Sequence, residues 1–412
     1  MKNKFSFLFV SLFFAILISC SKDDPVTPDP CPENEAPNLG GVYMYGTTSE
    51  GGANGLGTIY RVDQNGANFE KVYDFSTSTG GNPFGGLTLA NGRLYGFTTT
   101  NGQTVNSGAS IALGSFFEFN PETKDFKVIQ YIDDQSSIGN GFKFAPTMGG
   151  DGLLYMASES QGLTSREGVL SSFDPKCGNF TELATFTPTF GQPKSGLLEA
   201  SDGNLYVTTN NGATGSGAIV KYDKTSMQLL KLHSSAGNGS LEYRNAVNNI
   251  LFEASNGALY GASKQGGGND NGIIFKINKD GSGFQTIYRM LGAGLTDVGY
   301  YPLGGFVEVN GKLYSSTEQE ANIGQNQGTL FTIDIATNKF SFIHTLDLEG
   351  AQPRGTFTSS SNGRLYLTCS GGNINNGSII EFNPLNGNVV QKHAFNTSDG
   401  TKPQYDQLCV IN

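Results

Sequence analysis

The chain has 412 residues, with 36 Asp and Glu against 26 Lys and Arg, for a net charge of −10 at neutral pH. An acidic body of this kind is not drawn to nucleic acid or to an anionic lipid surface. With 57 glycines, 29 Phe, 17 Tyr and no Trp, it is neither low-complexity nor built on tryptophan anchors.

The first residues read as a targeting segment. Lys2 and Lys4 are followed by an almost wholly apolar run, Phe5 to Ile18, short for a membrane span and followed by a small residue and a cysteine. Leu17-Ile18-Ser19-Cys20 resembles a bacterial lipoprotein signal, which implies cleavage after residue 19 and lipidation of Cys20. The next residues, Ser21-Lys22-Asp23-Asp24, resemble the acidic tag of surface lipoproteins of the Bacteroidota, and so imply an outer-membrane, cell-surface location. Pro25, Pro28, Pro30, Pro32 and Pro37 then mark a segment that stays extended. The expected layout is a signal at 1–19, lipidated Cys20 and linker at 20–37, and a folded body at 38–412. Beyond Cys20 lie Cys31, Cys177, Cys369 and Cys409. An exported compartment permits disulfides, but three pairings are open, as are isolated buried thiols.

The body is a repeat. The tyrosine of an LYG-like triplet recurs as Tyr45, Tyr95, Tyr155, Tyr206, Tyr260, Tyr314 and Tyr366, at intervals of 50 to 60 residues. Three residues before it, from the second copy on, stands the glycine of an Asn-Gly or Asp-Gly pair, from Asn91-Gly92 to Asn362-Gly363. Such pairs suit a type I′ hairpin turn, which needs positive φ at both central residues. Downstream, a second glycine opens another apolar run: Gly57, Gly114, Gly168, Gly217, Gly272, Gly328 and Gly377. An Asx residue follows six positions later in every copy, from Asp63 to Asn383. A further short strand closes each unit, as in FEKVYDF or FQTIYRM.

Each unit therefore predicts four antiparallel strands, a to d, with the tyrosine on b. Units of this length and make-up are propeller blades; a parallel β-helix has shorter coils and no paired hairpin turns. The first copy lacks strand a, and the tail Gly400–Asn412 matches what precedes the a–b turn elsewhere. The expected fold is all-β: a seven-bladed β-propeller of four-stranded antiparallel blades, closed by Leu408 to Ile411 pairing beside the Tyr45 strand in the first blade. The units, Tyr45 to Val62 most clearly, resemble the bacterial Gloeo/Verruco-type repeat across residues 42–412. That resemblance implies an exported β-repeat and brings no catalytic residues with it. Asn101 to Leu113 and SQGLTSREG in the third unit depart most from the pattern.

The glycine cluster KQGGGNDNG, Lys264 to Gly272, looks like a phosphate loop. A phosphate loop ends in a helix N-terminus, whereas this one runs into a strand. It also lacks the carboxylates that a calcium loop needs. Neither a nucleotide nor a metal is expected, and no cofactor. His233, His344 and His393 all fall in strand d of different blades and cannot converge on one centre.

In a four-stranded meander the b–c loops and d–a connections share one face, and the tight turns share the other. The d–a connections carry a proline followed by Phe84, Lys194, Leu303, Arg354 or Gln404, with Tyr243-Arg244 in the fifth blade. Lys194, Arg244 and Arg354, with Phe84, Tyr243, Tyr300 and Tyr301, are the candidate ligand-binding set. Cations beside aromatics suit a polar or acidic glycan, or an acidic peptide. The expectation is a lipid-anchored propeller that binds a glycan or a surface protein on its loop face, without catalysis. The alternatives are a polysaccharide lyase or hydrolase with acids and tyrosines at the axis, and a purely structural envelope module.

Overall fold

A computed structural model describes residues 31, 33–100, 111–161, 167–210, 217–235, 243–244, 250–291, 299–319, 327–347, 349–371, 376–405 and 407–412. Cys20 and most of the second blade's long b–c loop lie outside these residues.

Seven antiparallel sheets form the blades. In blade 6, strand a (Val307–Val309), strand b (Lys312–Gln319), strand c (Thr329–Asp334) and strand d (Phe340–Thr345) follow one another. Ring closure is as the tail pattern predicts. Cys409–Ile411 pairs with Tyr43–Thr48, with Tyr45 opposite Cys409 and Tyr43 opposite Ile411. The seam extends further, since Glu50 and Thr401 exchange backbone hydrogen bonds of 3.0 and 2.6 Å. Seven apolar clusters fill the seven junctions. At the closing one, Met44 and Tyr60 meet Tyr366, Ile379 and Leu408. Each such side chain contributes roughly 1.5–3 kcal/mol by leaving water.

The repeat signature has a physical reason at each position. The tyrosine is buried, so its hydroxyl must find a partner. In blades 3 and 4 it finds one in the Asx of its own a–b turn: Tyr155 donates to Asp151 at 2.6 Å and Tyr206 to Asp202 at 2.7 Å; in blade 1 Tyr45 donates to the Pro121 carbonyl at 3.3 Å. In the fifth and seventh blades the Asn256 and Asn362 amides donate to Tyr260 and Tyr366 instead. The turns themselves differ from the uniform type I′ expectation. Only Asn91-Gly92 and Asn310-Gly311 have positive φ at both residues, and both close two-residue loops. In the other turns only the glycine is left-handed, because one or more extra residues let the Asx keep an ordinary φ and turn its side chain to the tyrosine. In blade 2, where Asn91 is itself left-handed, Tyr95 turns to Glu118 instead.

The glycine that opens strand c is required by crowding. A Cβ there would lie 2.1–2.6 Å from the carbonyl oxygen of Thr48, Thr98, Ser158, Thr209, Ser263, Thr317 or Cys369. On its other side stands the proline of the next d–a connection: Pro83, Pro193, Pro302, Pro353 and Pro403 bring Cδ to 2.2–3.0 Å of that position. The shared proline is thus a wedge seated on its neighbour's glycine, and blade 3, which has Phe142 in its place, makes no such contact.

The three histidines stand in strand d, as read from the sequence. Two of them are not simply surface residues: at four junctions this column stacks one blade on the next, while His344 faces Glu349 at 3.6 Å. His233 lies 3.9 Å from Phe284 and His393 3.9 Å from Phe69, ring centre to ring centre, as Tyr73 stacks on Phe126 and Tyr288 on Phe340.

The described cysteines resolve into one bridge, Cys31–Cys177, and two thiols in no disulfide, Cys369 and Cys409. The bridge fastens the end of the linker to the c–d turn of blade 3. Around it Glu33 pairs with Lys176, and the Asn34 backbone N–H donates to Asn91 at 2.7 Å. Cys31 and residues 33–37 thus lie on the tight-turn side of the ring, opposite the long loops. No helix among the described residues is long and apolar enough to cross a membrane.

Candidate functional site

A cavity of about 480 Å³ runs along the axis. It is lined by the innermost strands and the residues leading into them. Thr88, Thr147, Thr356, Thr358 and Ser359 bring a band of hydroxyls. Three of these hydroxyls donate to a carbonyl of the following blade: Thr88 to Pro146, Thr147 to Leu197 at 2.7 Å and Thr358 to Leu408 at 3.0 Å. Their oxygens keep acceptor capacity toward the cavity. Phe144 and Tyr405 face each other with ring centres 5.6 Å apart and form an aromatic wall. Arg354 is the one charged side chain among the described lining residues.

Arg354 is held firmly. Its Nε and Nη2 donate to Glu318 Oε1 at 2.8 and 2.5 Å, and its Nη1 donates to Gln404 at 2.8 Å. Glu318, only 5% exposed, accepts on its other oxygen from Lys264 at 3.0 Å. A guanidinium has five N–H donors, so two remain for a ligand. A parallel arrangement joins blades 3 and 4, where Glu159 accepts from Lys143 at 2.8 Å and from Lys194 at 2.5 Å. Glu159, Lys264 and Glu318 each sit four residues after a repeat tyrosine, on the loop side of the ring.

The sequence-derived set is therefore divided. Arg354 reaches the cavity. Lys194 is spent on Glu159 away from the described lining. Phe84 contributes its carbonyl, which accepts the Tyr405 backbone N–H at 3.0 Å. Tyr300 and Tyr301 stand at the junction of blades 5 and 6, where Lys264 lies 4.8 Å over the Tyr301 ring. Tyr243–Arg244 forms a short pairing with Gln265–Gly266, and the two side chains lie outside what the structure describes. Sequence reasoning missed Lys143, Phe144, Lys264, Tyr405 and the two carboxylates. Lys143 stands nine residues before its turn glycine, as Lys194 does. Counting back from that glycine would have found it, whereas anchoring on the proline did not, because blade 3 has Phe142 in that place.

On the opposite side, Glu199 and Glu253 end the innermost strands of blades 4 and 5, and Glu308 is the middle residue of that of blade 6. Each accepts from the a–b turn of the blade before it, through the Gly150, Ser201 and Ser255 backbone N–H groups. Lys224 and Lys279 pair with the first two. These carboxylates bind blade to blade. The Lys264–Gly272 glycine cluster is likewise structural: the Gly266 backbone N–H donates to Asp270 at 2.9 Å, and the loop enters strand Ile273–Ile277. Among the described residues no group of three or more His, Cys, Asp or Glu is placed to hold a metal.

The family described as the Gloeobacter/Verrucomicrobia repeat matches residues 32–214 and 192–410. No curated protein matches the sequence significantly. Among solved structures, the periplasmic gluconolactonase PpgL of Pseudomonas aeruginosa is 15% identical, with a TM-score of 0.60 over 90% of this chain and 99% of that one. A protein of Lactobacillus plantarum is 13% identical, with a TM-score of 0.57 over 90% and 98%. A candidate 6-phosphogluconolactonase of Bacteroides uniformis is 14% identical, with a TM-score of 0.56 over 89% and 98%. At these identities the likeness is one of fold.

Proposed function

The chain belongs to the Gloeobacter/Verrucomicrobia repeat family, and from that premise we propose that it is a lipid-anchored, extracytoplasmic propeller that binds a carbohydrate in its axial cavity without transforming it. The observation that carries this reading is the lining: hydroxyls, an aromatic wall and one preorganised guanidinium around about 480 Å³. A sugar presents both apolar ring faces and a rim of hydroxyls, and such a pocket matches both. Arg354 is the charged contact, with Lys194 and Tyr301 near the loop-side rim.

The location rests on the signal-like start and Cys20, with the outer membrane as the anchor site and residues 38–412 as the propeller. The Cys31–Cys177 bridge supports an oxidising compartment. It leaves only residues 21–30 between the proposed anchor and Cys31, which it fastens on the tight-turn side. The loop-side end of the cavity would then point away from the membrane.

A glycan array probed with the detergent-solubilised full-length protein tests the reading. The expected result is a hit weakened by Arg354→Gln and by Phe144→Ala. No hit, or one that both variants leave unchanged, overturns it.

A second reading adds chemistry to the same cavity: a lyase or hydrolase acting on a polysaccharide or a sugar lactone. Its support is that propellers of this fold include a gluconolactonase. Its acids would be Glu159 and Glu318, yet each oxygen of both already faces a cation, so a substrate proton would have to compete with those pairings. Turnover of glucono-δ-lactone or of a polysaccharide, abolished by Glu318→Gln or Glu159→Gln, would favour this second reading over the first.

A further inference from the structure

We infer that the loop-side rim of the axial cavity selects an anionic sugar, one carrying a carboxylate or a phosphate. This rests on the carbohydrate reading above and adds the ligand's charge to it.

The argument is one of local charge. The whole chain is acidic, at −10. The rim reverses that sign. Lys143 and Lys194 share Glu159, and Lys264 and Arg354 share Glu318. Each group of three carries two positive charges against one negative. In both, each carboxylate oxygen already faces a cation and the group holds no second acid, so neither group can be neutralised further from within. Lys402 with Glu50, the neighbouring pair at the seam, is one to one and adds no excess.

Four cations drawn from blades 3, 4, 5 and 7 are thus held by two carboxylates, and one unit of positive charge is unspent in each group. The carboxylates act as positioning residues: Glu318 fixes the guanidinium so that its two spare N–H donors keep one orientation. A guanidinium with two donors free suits the paired oxygens of a carboxylate or a phosphate. Positive charge at a partly desolvated mouth favours an anion over its neutral counterpart by about tenfold or more, and the preference weakens with salt. A neutral sugar would use the hydroxyl band, the aromatic wall and the Arg354 donors alike but gain nothing from the rim's net charge.

The test is calorimetry on the detergent-solubilised full-length protein with D-glucose, D-glucuronate and D-glucose 6-phosphate, at low salt and at about 0.5 M NaCl. The expected result is at least one anion binding about tenfold more tightly than glucose, with the gap closing in salt. Which anion wins tells carboxylate from phosphate. Lys264→Gln and Lys194→Gln each leave the shared carboxylate one partner, Arg354 or Lys143, so the fold is retained, and unfolding curves check it. Each should cut anion affinity about threefold and leave glucose unchanged. Glucose binding as tightly as both anions, or an anion preference that neither variant lowers, overturns the inference while the sugar cavity stands. No binding of any of the three, together with an empty glycan array, overturns the carbohydrate reading itself.

Discussion

Placing a methyl group on Gly328 should loosen the joint between blades 6 and 7. The backbone there does not need a left-handed φ, so the effect is steric. An added Cβ would stand 2.2 Å from Pro353 Cδ and 2.4 Å from the Thr317 carbonyl oxygen, where carbon contacts settle near 3.5–4.0 Å. Something must retreat by over an ångström. Neither neighbour is a flexible side-chain end: Thr317 sits in strand b, and Pro353 is opposite Cys369 in its own sheet. Overpacking of this kind costs about 1–3 kcal/mol, and the rigid neighbours place Gly328→Ala at about 3. With an unfolding entropy of roughly 2.1 cal/mol/K per residue, that is a fall in Tm of about 4 °C for a body of about 375 residues. The comparison is Gly203→Ala, where φ is +75° and nothing lies within 4 Å, so only the left-handed backbone is penalised, by about 1–2 kcal/mol. Removing the proline ring in Gly328→Ala/Pro353→Ala should recover about 1 kcal/mol, as a double-mutant cycle reads it. Denaturant and thermal unfolding followed by circular dichroism measure all four. Gly328→Ala proving as mild as Gly203→Ala, with no coupling to Pro353, would refute the wedge.

Other consequences are as direct. Deleting residues 408–412 removes strand a of blade 1 and two buried side chains, Leu408 and Ile411, each contributing roughly 1.5–3 kcal/mol; the ring should lose cooperative unfolding and self-associate by light scattering through the bared edge of Tyr43–Thr48. Tyr206→Phe should cost about 1 kcal/mol in the same unfolding assay, because it strips a hydrogen bond from Asp202. Alkylation of the unfolded, unreduced full-length protein should label two of the four cysteines beyond Cys20, Cys369 and Cys409; labelling of Cys31 or Cys177 by mass spectrometry would contradict the bridge. Burial holds His393 below its ordinary value of 6.5, with Asp399 opposing, so the neutral ring is the one the fold prefers. Stability from this residue is present above about pH 6.5 and lost as pH falls through the depressed value. His393→Phe, which keeps the stack on Phe69, should flatten that acid-side decline in denaturant titrations.

The architecture was legible because a blade is written in local pattern. The tyrosine with its turn Asx, the glycine at the head of strand c and the Asx that follows it at constant spacing all act within one unit of about fifty residues. Their roles needed coordinates: turn type depended on loop length, and the proline's purpose lay in the neighbouring blade. The site was less legible for a related reason. Arg354 was found because it follows a proline, but Lys143 follows none, and Phe144 and Tyr405 share a position, two residues after the proline site, that holds Gly85, Ser195, Gly304 or Gly355 in other blades and so shows no repeated aromatic character.

Sequence alone determined the number of blades, the order of strands in each, and the closure of the ring by the tail, since strand pairing within a blade joins near neighbours in the chain. Only the tertiary structure decided which charges are spent, which cysteines are joined and what lines the axis. Glu318 meets Arg354 and Lys264, which stand 36 and 54 residues away, and Cys31 meets Cys177 across 146. Such meetings depend on how one blade is rotated against another, and no spacing along the chain encodes that rotation.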